Sequence, residues 1–169
     1  VLSSRFHVDW AVQTGGTLED RPRYNKGATF EPFPFPNPTP EQRTLIAEIG
    51  EELDATRKAA LAKHRHLSMT ALYNLTKKLR AGVALTKTEE IDVRDARARI
   101  VVHLHDQLDA AVAAAYGWPA DLAAAEIVTR LVELNAERAA QESAGRVAWL
   151  RPEFQVPKLN ISIAGPVQV

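Results

Sequence analysis

The sequence predicts a mainly α-helical protein: a four-helix bundle, or a pair of helical hairpins, preceded by an extended N-terminal arm rich in aromatic residues and proline. Three observations lead there. Helix-start signals stand at Thr39-Pro40-Glu41-Gln42 and Thr86-Lys87-Thr88-Glu89, where a capping hydroxyl and a Gln or Glu three residues on can satisfy each other's backbone donors. Apolar residues recur at helical spacing behind each start, and glycines stand where the helices should stop. The first 38 residues differ in kind, holding five of the ten prolines and a short run with three of the five phenylalanines.

Taken in order, residues 1–38 read as an extended arm. Phe6, Val8, Trp10 and Val12 alternate with His7, Asp9 and Ala11, a period of two that suits a strand. Gly15-Gly16 breaks it as a turn. Phe33-Pro34-Phe35-Pro36 fixes φ at alternate residues and removes donors, so it should run extended over a surface. A helical domain is expected over 39–145. Its first helix covers about 40–63 with Leu45, Ile46, Ile49 and Leu53; its second starts after Ser68, carries Leu72, Leu75 and Leu79, and stops at Gly82. No Gly or Pro then occurs until Gly117, which permits one helix of about 28 residues with Ile91, Val101, Leu104, Leu108 and Val112. A fourth runs from about Asp121 to Ser143 with Ile127, Leu131 and Leu134 inward, and Gly145 closes it. Residues 146–169 are expected to be an extended segment around Trp149 and Leu150 followed by a tail.

A chain of 169 residues that is 46% hydrophobic can bury a real core. Lys plus Arg equals Asp plus Glu at 21 each, so no net field draws it to nucleic acid, and any such contact must come from a local patch or a larger protein. The absence of cysteine excludes disulfide frameworks, thiolate nucleophiles and cysteine-based zinc sites. That absence makes a reducing cytoplasm the expected location, and no apolar run of about 18 residues is there to span a bilayer, so no membrane partner is expected. The N-terminus is neither a Met start nor a signal peptide, so the chain is expected to be cut from something longer.

Most candidate chemistry fails on geometry. His64/His66 and His103/His105 are two apart, which on a helix points them about 200° away from each other. His105 and Asp109, four apart, share a face, but such pairs are common local contacts. Glu51-Glu52, Glu89-Glu90 and Glu133/Glu137 fall on solvent faces and have no concave site between them. Neither a Walker motif nor a G-x-S-x-G or H-E-x-x-H motif occurs. The densest unusual cluster is Arg21-Pro22-Arg23-Tyr24-Asn25-Lys26, three cations, an aromatic and an amide within one loop, which suits phosphate and base-edge contacts. Its plainer reading is a loop with Tyr24 packed on the body and its arginines paired to Glu19, Asp20 or Glu31.

These residues carry a resemblance. Ser4-Arg5-Phe6-His7-Val8-Asp9-Trp10, Gly15-Gly16, Arg23-Tyr24-Asn25-Lys26 and Phe33-Pro34-Phe35-Pro36 resemble the segment after the target-recognition domain in MmeI-like class I S-adenosylmethionine-dependent DNA methyltransferases of type II restriction–modification systems. Leu72-Tyr73-Asn74, His105-Asp106-Gln107-Leu108-Asp109, Ala113-Ala114-Ala115-Tyr116-Gly117-Trp118-Pro119 and Trp149-Leu150-Arg151-Pro152-Glu153-Phe154 resemble their helical C-terminal region. The resemblance implies a non-catalytic part of a DNA adenine-N6 methyltransferase. In such enzymes S-adenosylmethionine and the flipped adenine are held by an upstream catalytic domain, whose Asn-Pro-Pro-Tyr/Phe motif is not matched by Asn37-Pro38-Thr39-Pro40. No cofactor site and no activity are therefore expected in this chain alone. Its implied partners are the upstream methyltransferase and target-recognition domains, and DNA through the whole enzyme, with Arg5, His7, Trp10, Arg21, Arg23, Tyr24, Asn25 and Lys26 as candidate DNA contacts. The rival expectation is a helical interaction or homo-oligomerisation module, with exposed Phe33, Phe35 and Trp118 marking the partner surface.

Overall fold

A computed structural model describes residues 1–18 and 21–147; the expected segment around Trp149 and the tail lie outside the described residues. The described chain is mainly α-helical, with α1 at Arg5–Thr14, α2 at Pro40–Lys63, α3 at Met69–Arg80, α4 at Lys87–Asp95, α5 at Ala98–Tyr116 and α6 at Ala124–Ser143. A two-residue antiparallel pair, β1 (Thr17–Leu18) with β2 (Arg21–Pro22), and a π-helical turn at Lys26–Phe30 lie between α1 and α2.

Both capping boxes form. The Thr39 N–H donates to Gln42 Oε1 at 2.9 Å while the Gln42 N–H donates to Thr39 Oγ1 at 3.3 Å. Thr86 and Glu89 repeat the pattern at 2.9 and 3.3 Å, and Ser68 caps α3 through the Ala71 N–H. These local bonds place the helix starts where the sequence puts them, because they satisfy donors that no helix can satisfy internally. At the other end of α5, Gly117 takes a left-handed φ of 71°, and the Trp118 N–H reaches back to the Ala113 carbonyl at 3.0 Å. That is the Schellman stop, which favours a residue without Cβ.

The core is built on α5. Val101, Leu104, Leu108 and Val112 are buried along it, and the small residues Ala98, Ala111, Ala113 and Ala115 let neighbours approach closely. α2 brings Ile46, Ile49 and Leu53 to it, α3 brings Leu72 and Leu75, and α4 brings Val93. On the other side α1 packs against α6, which buries Ile127 and Leu131. Each fully buried Leu or Ile contributes roughly 1.5–3 kcal/mol of transfer free energy, so these stripes hold the helices together.

The structure corrects two expectations about the elements. Residues 5–14 form a helix, not a strand. Phe6 and Trp10, four apart, fall on one helical face and are buried, which leaves Val8 and Val12 exposed. The first 38 residues are therefore a packed helix followed by loops rather than an arm extended throughout, although Phe33–Pro36 does run without regular structure. The expected 28-residue helix is broken into α4 and α5 by a turn at Ala96-Arg97. Ala96 and Ala98 are both fully buried. Arg97, at φ 54° and ψ 35°, makes the turn at a left-handed position that costs a non-glycine residue roughly 1–2 kcal/mol.

Candidate functional site

The cluster singled out by composition begins in β2 and continues into the loop that leads toward α2, and α1 holds it from beneath. Gly15 and Gly16 begin this arrangement. The Arg23 N–H donates to the Gly16 carbonyl at 3.1 Å, and the Arg23 carbonyl lies so near Gly15 that a Cβ there would sit 2.1 Å from it. The Asn25 side chain accepts from the Gly27 N–H at 3.0 Å, the Thr29 N–H donates to the Asn25 carbonyl at 2.7 Å, and the Glu31 N–H donates to the Lys26 carbonyl at 2.9 Å, which closes the π turn. Thr29 is fully buried, and its carbonyl accepts the Trp10 indole N–H at 2.8 Å.

Above this foundation Arg23, Tyr24, Asn25 and Lys26 are exposed. Tyr24 keeps 55% of its surface although its hydroxyl meets His7 Nε2 at 3.0 Å. Lys26 pairs with Glu31 at 3.2 Å between two exposed side chains, an interaction that water weakens strongly. Arg23 has no carboxylate partner within 4 Å among the described residues. Arg21 is described through its backbone alone, opposite Leu18.

The remaining three candidates, Arg5, His7 and Trp10, do not share this exposed surface. His7 and Trp10 are each 3% exposed, with His7 edge-on to Phe33 at 4.5 Å between ring centroids. Burial pushes the His7 imidazole below its usual range, and its Nδ1 has no partner among the described residues. Arg5 is engaged inside the fold: its N–H donates to Asp109 Oδ1 at 2.8 Å and its guanidinium donates to the Leu122 carbonyl. The two buried rings position the loop; they do not reach past it. Alternating polarity hid this, because Phe6 and Trp10 fit period two and helical spacing equally well.

The aromatic surface expected for an interaction module is likewise packed against the protein. Phe33 is buried, Phe35 stands edge-on to it at 4.9 Å, and Trp118 stacks on Tyr116 at 4.4 Å. The Tyr116 hydroxyl donates to the Pro34 carbonyl at 2.9 Å, and burial raises its pKa. This network fixes the Phe-Pro segment to the end of α5.

His64 and His66 lie past the end of α2, with their rings edge-on at 6.1 Å between centroids. His105 Nε2 meets the Tyr73 hydroxyl at 2.8 Å, and that hydroxyl accepts from Arg57 Nη1 at 2.9 Å, joining α5, α3 and α2. Desolvation, then the nearby Arg80 and Arg57, push His105 down. Asp109 serves Arg5 instead, and burial pushes its carboxyl up. His66 pairs with Asp92 at 2.9 Å on the surface. Among the described residues no group of three or more His, Asp or Glu side chains is placed to hold a metal ion, and no helix is long and apolar enough to cross a membrane. Sequence reasoning misses the Arg57–Tyr73–His105 relay, since its members lie 16 and 32 residues apart and no motif links them.

No family model, curated protein or solved structure matches the chain.

Proposed function

We propose that this chain is a non-catalytic helical part of a DNA adenine-N6 methyltransferase from a restriction–modification system, supporting target recognition by touching DNA through the 23–26 loop. One observation carries the reading: an arginine, a tyrosine, an asparagine and a lysine stay exposed in a four-residue run whose backbone is bonded to Gly16 and to Thr29, the residue that accepts from the buried Trp10 indole. Long flexible cations lose entropy when they bind phosphate, and a fixed backbone lowers that cost. Arginine and lysine suit phosphate oxygens, and asparagine and tyrosine suit phosphate or base-edge contacts. The resemblance of the surrounding motifs supplies the enzyme class. Under this reading the cofactor and the flipped base belong to the upstream domain, and the helical body braces that domain's recognition surface.

The test is titration of a fluorescent duplex at low salt, followed by anisotropy. Saturable binding is expected, weakened in an Arg23→Ala/Lys26→Ala variant that keeps its helical circular dichroism. Undetectable binding, or equal binding by the variant, would overturn the DNA assignment.

A further inference from the structure

A groove and a helix face on different parts of this molecule complement each other. The groove, about 700 Å³, opens where α4 turns into α5. Leu79, Leu85, Val93 and Ile100 form its apolar lining, and Arg97 and Arg99 stand at it. Ile100 is 42% exposed. Neighbouring cations are neutralised locally: Lys78 by Glu89, Arg80 by Asp106 and Arg94 by Asp95. Arg97 and Arg99 have no such carboxylate among the described residues. The groove therefore joins apolar surface to an excess of positive charge, since Glu90 is the one carboxylate on its lining beside Arg94, Arg97 and Arg99.

α6 offers the complement. Its inward face holds Ile127 and Leu131, with Leu134 half-buried. At 100° per residue the opposite face centres on Val132, Ala136 and Ala140, all exposed, Val132 by 51%. An outward face is normally polar; this one is apolar and small enough for another backbone to approach. Glu133 and Glu137 stand one turn apart along its edge, exposed and without a cationic partner among the described residues.

We infer that α6 of a second copy of this chain docks in the α3–α4–α5 groove, Val132 meeting the apolar lining and Glu133 and Glu137 meeting Arg97 and Arg99. Each copy carries one groove and one such helix, and the dimer proposed is the two-fold pair in which each α6 fills the other copy's groove. None of these residues lies in the 23–26 loop, so self-association and DNA binding can be tested separately.

Charge exchange tests the dimer by sedimentation equilibrium. The wild-type chain is expected to dimerise at micromolar concentration. Arg97→Glu/Arg99→Glu and Glu133→Arg/Glu137→Arg should each weaken self-association by at least about tenfold, because like charges then face each other. Mixing the two variants in equal amounts should restore the dimer, since each groove then meets a helix of opposite charge. Circular dichroism checks that each variant keeps its helices. A wild-type monomer would leave the groove to another occupant, such as residues 148–169 of the same chain, and would overturn the inference. A dimer indifferent to both variants, or folded variants that fail to associate when mixed, would do the same.

Discussion

The indole of Trp10 and the carbonyl of Thr29 are joined by a buried hydrogen bond of 2.8 Å. Through it helix α1 holds the turn that carries the exposed loop, so a side chain with no access to solvent sets the geometry of side chains that have it. Trp10→Phe keeps most of the ring and removes the donor. The stranded carbonyl should cost about 1–3 kcal/mol, read as a lower urea midpoint, with faster amide exchange over residues 23–30. An unchanged midpoint would show that the bond contributes nothing.

Gly15 sets the other side of the same loop. A Cβ there would meet the Arg23 carbonyl at 2.1 Å and the Ala11 carbonyl at 2.7 Å. Both are backbone atoms, so helix or loop must move. Gly15→Ala should destabilise by about 1–3 kcal/mol, as overpacking does, and thermal unfolding checks it.

The Arg57–Tyr73–His105 relay gives a pH dependence. His105 has a folded-state pKa below its ordinary 6.5, so the unfolded chain binds its proton more readily. The relay's contribution is fully present above the unfolded value and is lost as pH falls through the folded one. The groups facing His105 reinforce this: Arg57 on α2 and Arg80 on α3 oppose its positive charge, while Asp106 and the Ser3 carbonyl favour it more weakly. His7, also lowered by burial, acts in the same direction. Below neutral pH the melting temperature should therefore fall, and His105→Gln should flatten that fall without abolishing it. Identical profiles for variant and wild type would contradict the relay.

Arg97 tests the break between α4 and α5. Arg97→Gly relieves left-handed strain of about 1–2 kcal/mol but adds about 0.5–1 kcal/mol of unfolded-state entropy. Measured where the chain is monomeric, it should be neutral or slightly stabilising. Arg97→Val should destabilise, since a β-branched residue fits that backbone worse. If glycine is the more damaging substitution, the turn is not held as described.

What can be read from the sequence is local. The helix starts at Thr39, Ser68 and Thr86 depend on residues within three positions of each other, and so they are legible. α1 is not, because Phe6 and Trp10 satisfy two periodicities and burial by α5 and α6 decides between them. The α4/α5 break is hidden for a similar reason: no glycine or proline marks it, and the burial of both Ala96 and Ala98 arises only in the packed fold. At the candidate site composition finds the exposed run from Arg23 to Lys26, whereas the inward turn of Arg5, His7 and Trp10 depends on Asp109, Leu122, Tyr24 and Thr29, which lie elsewhere in the chain.

The salt dependence of duplex binding tests the central claim most directly. Each phosphate neutralised by a cationic side chain contributes about 0.9 to the slope of log affinity against log salt. If Arg23 and Lys26 touch phosphates, the Arg23→Ala/Lys26→Ala variant should bind more weakly, with a slope shallower by about 0.9 for each phosphate that is no longer neutralised. The same slope and affinity in variant and wild type would contradict the assignment of this loop to DNA.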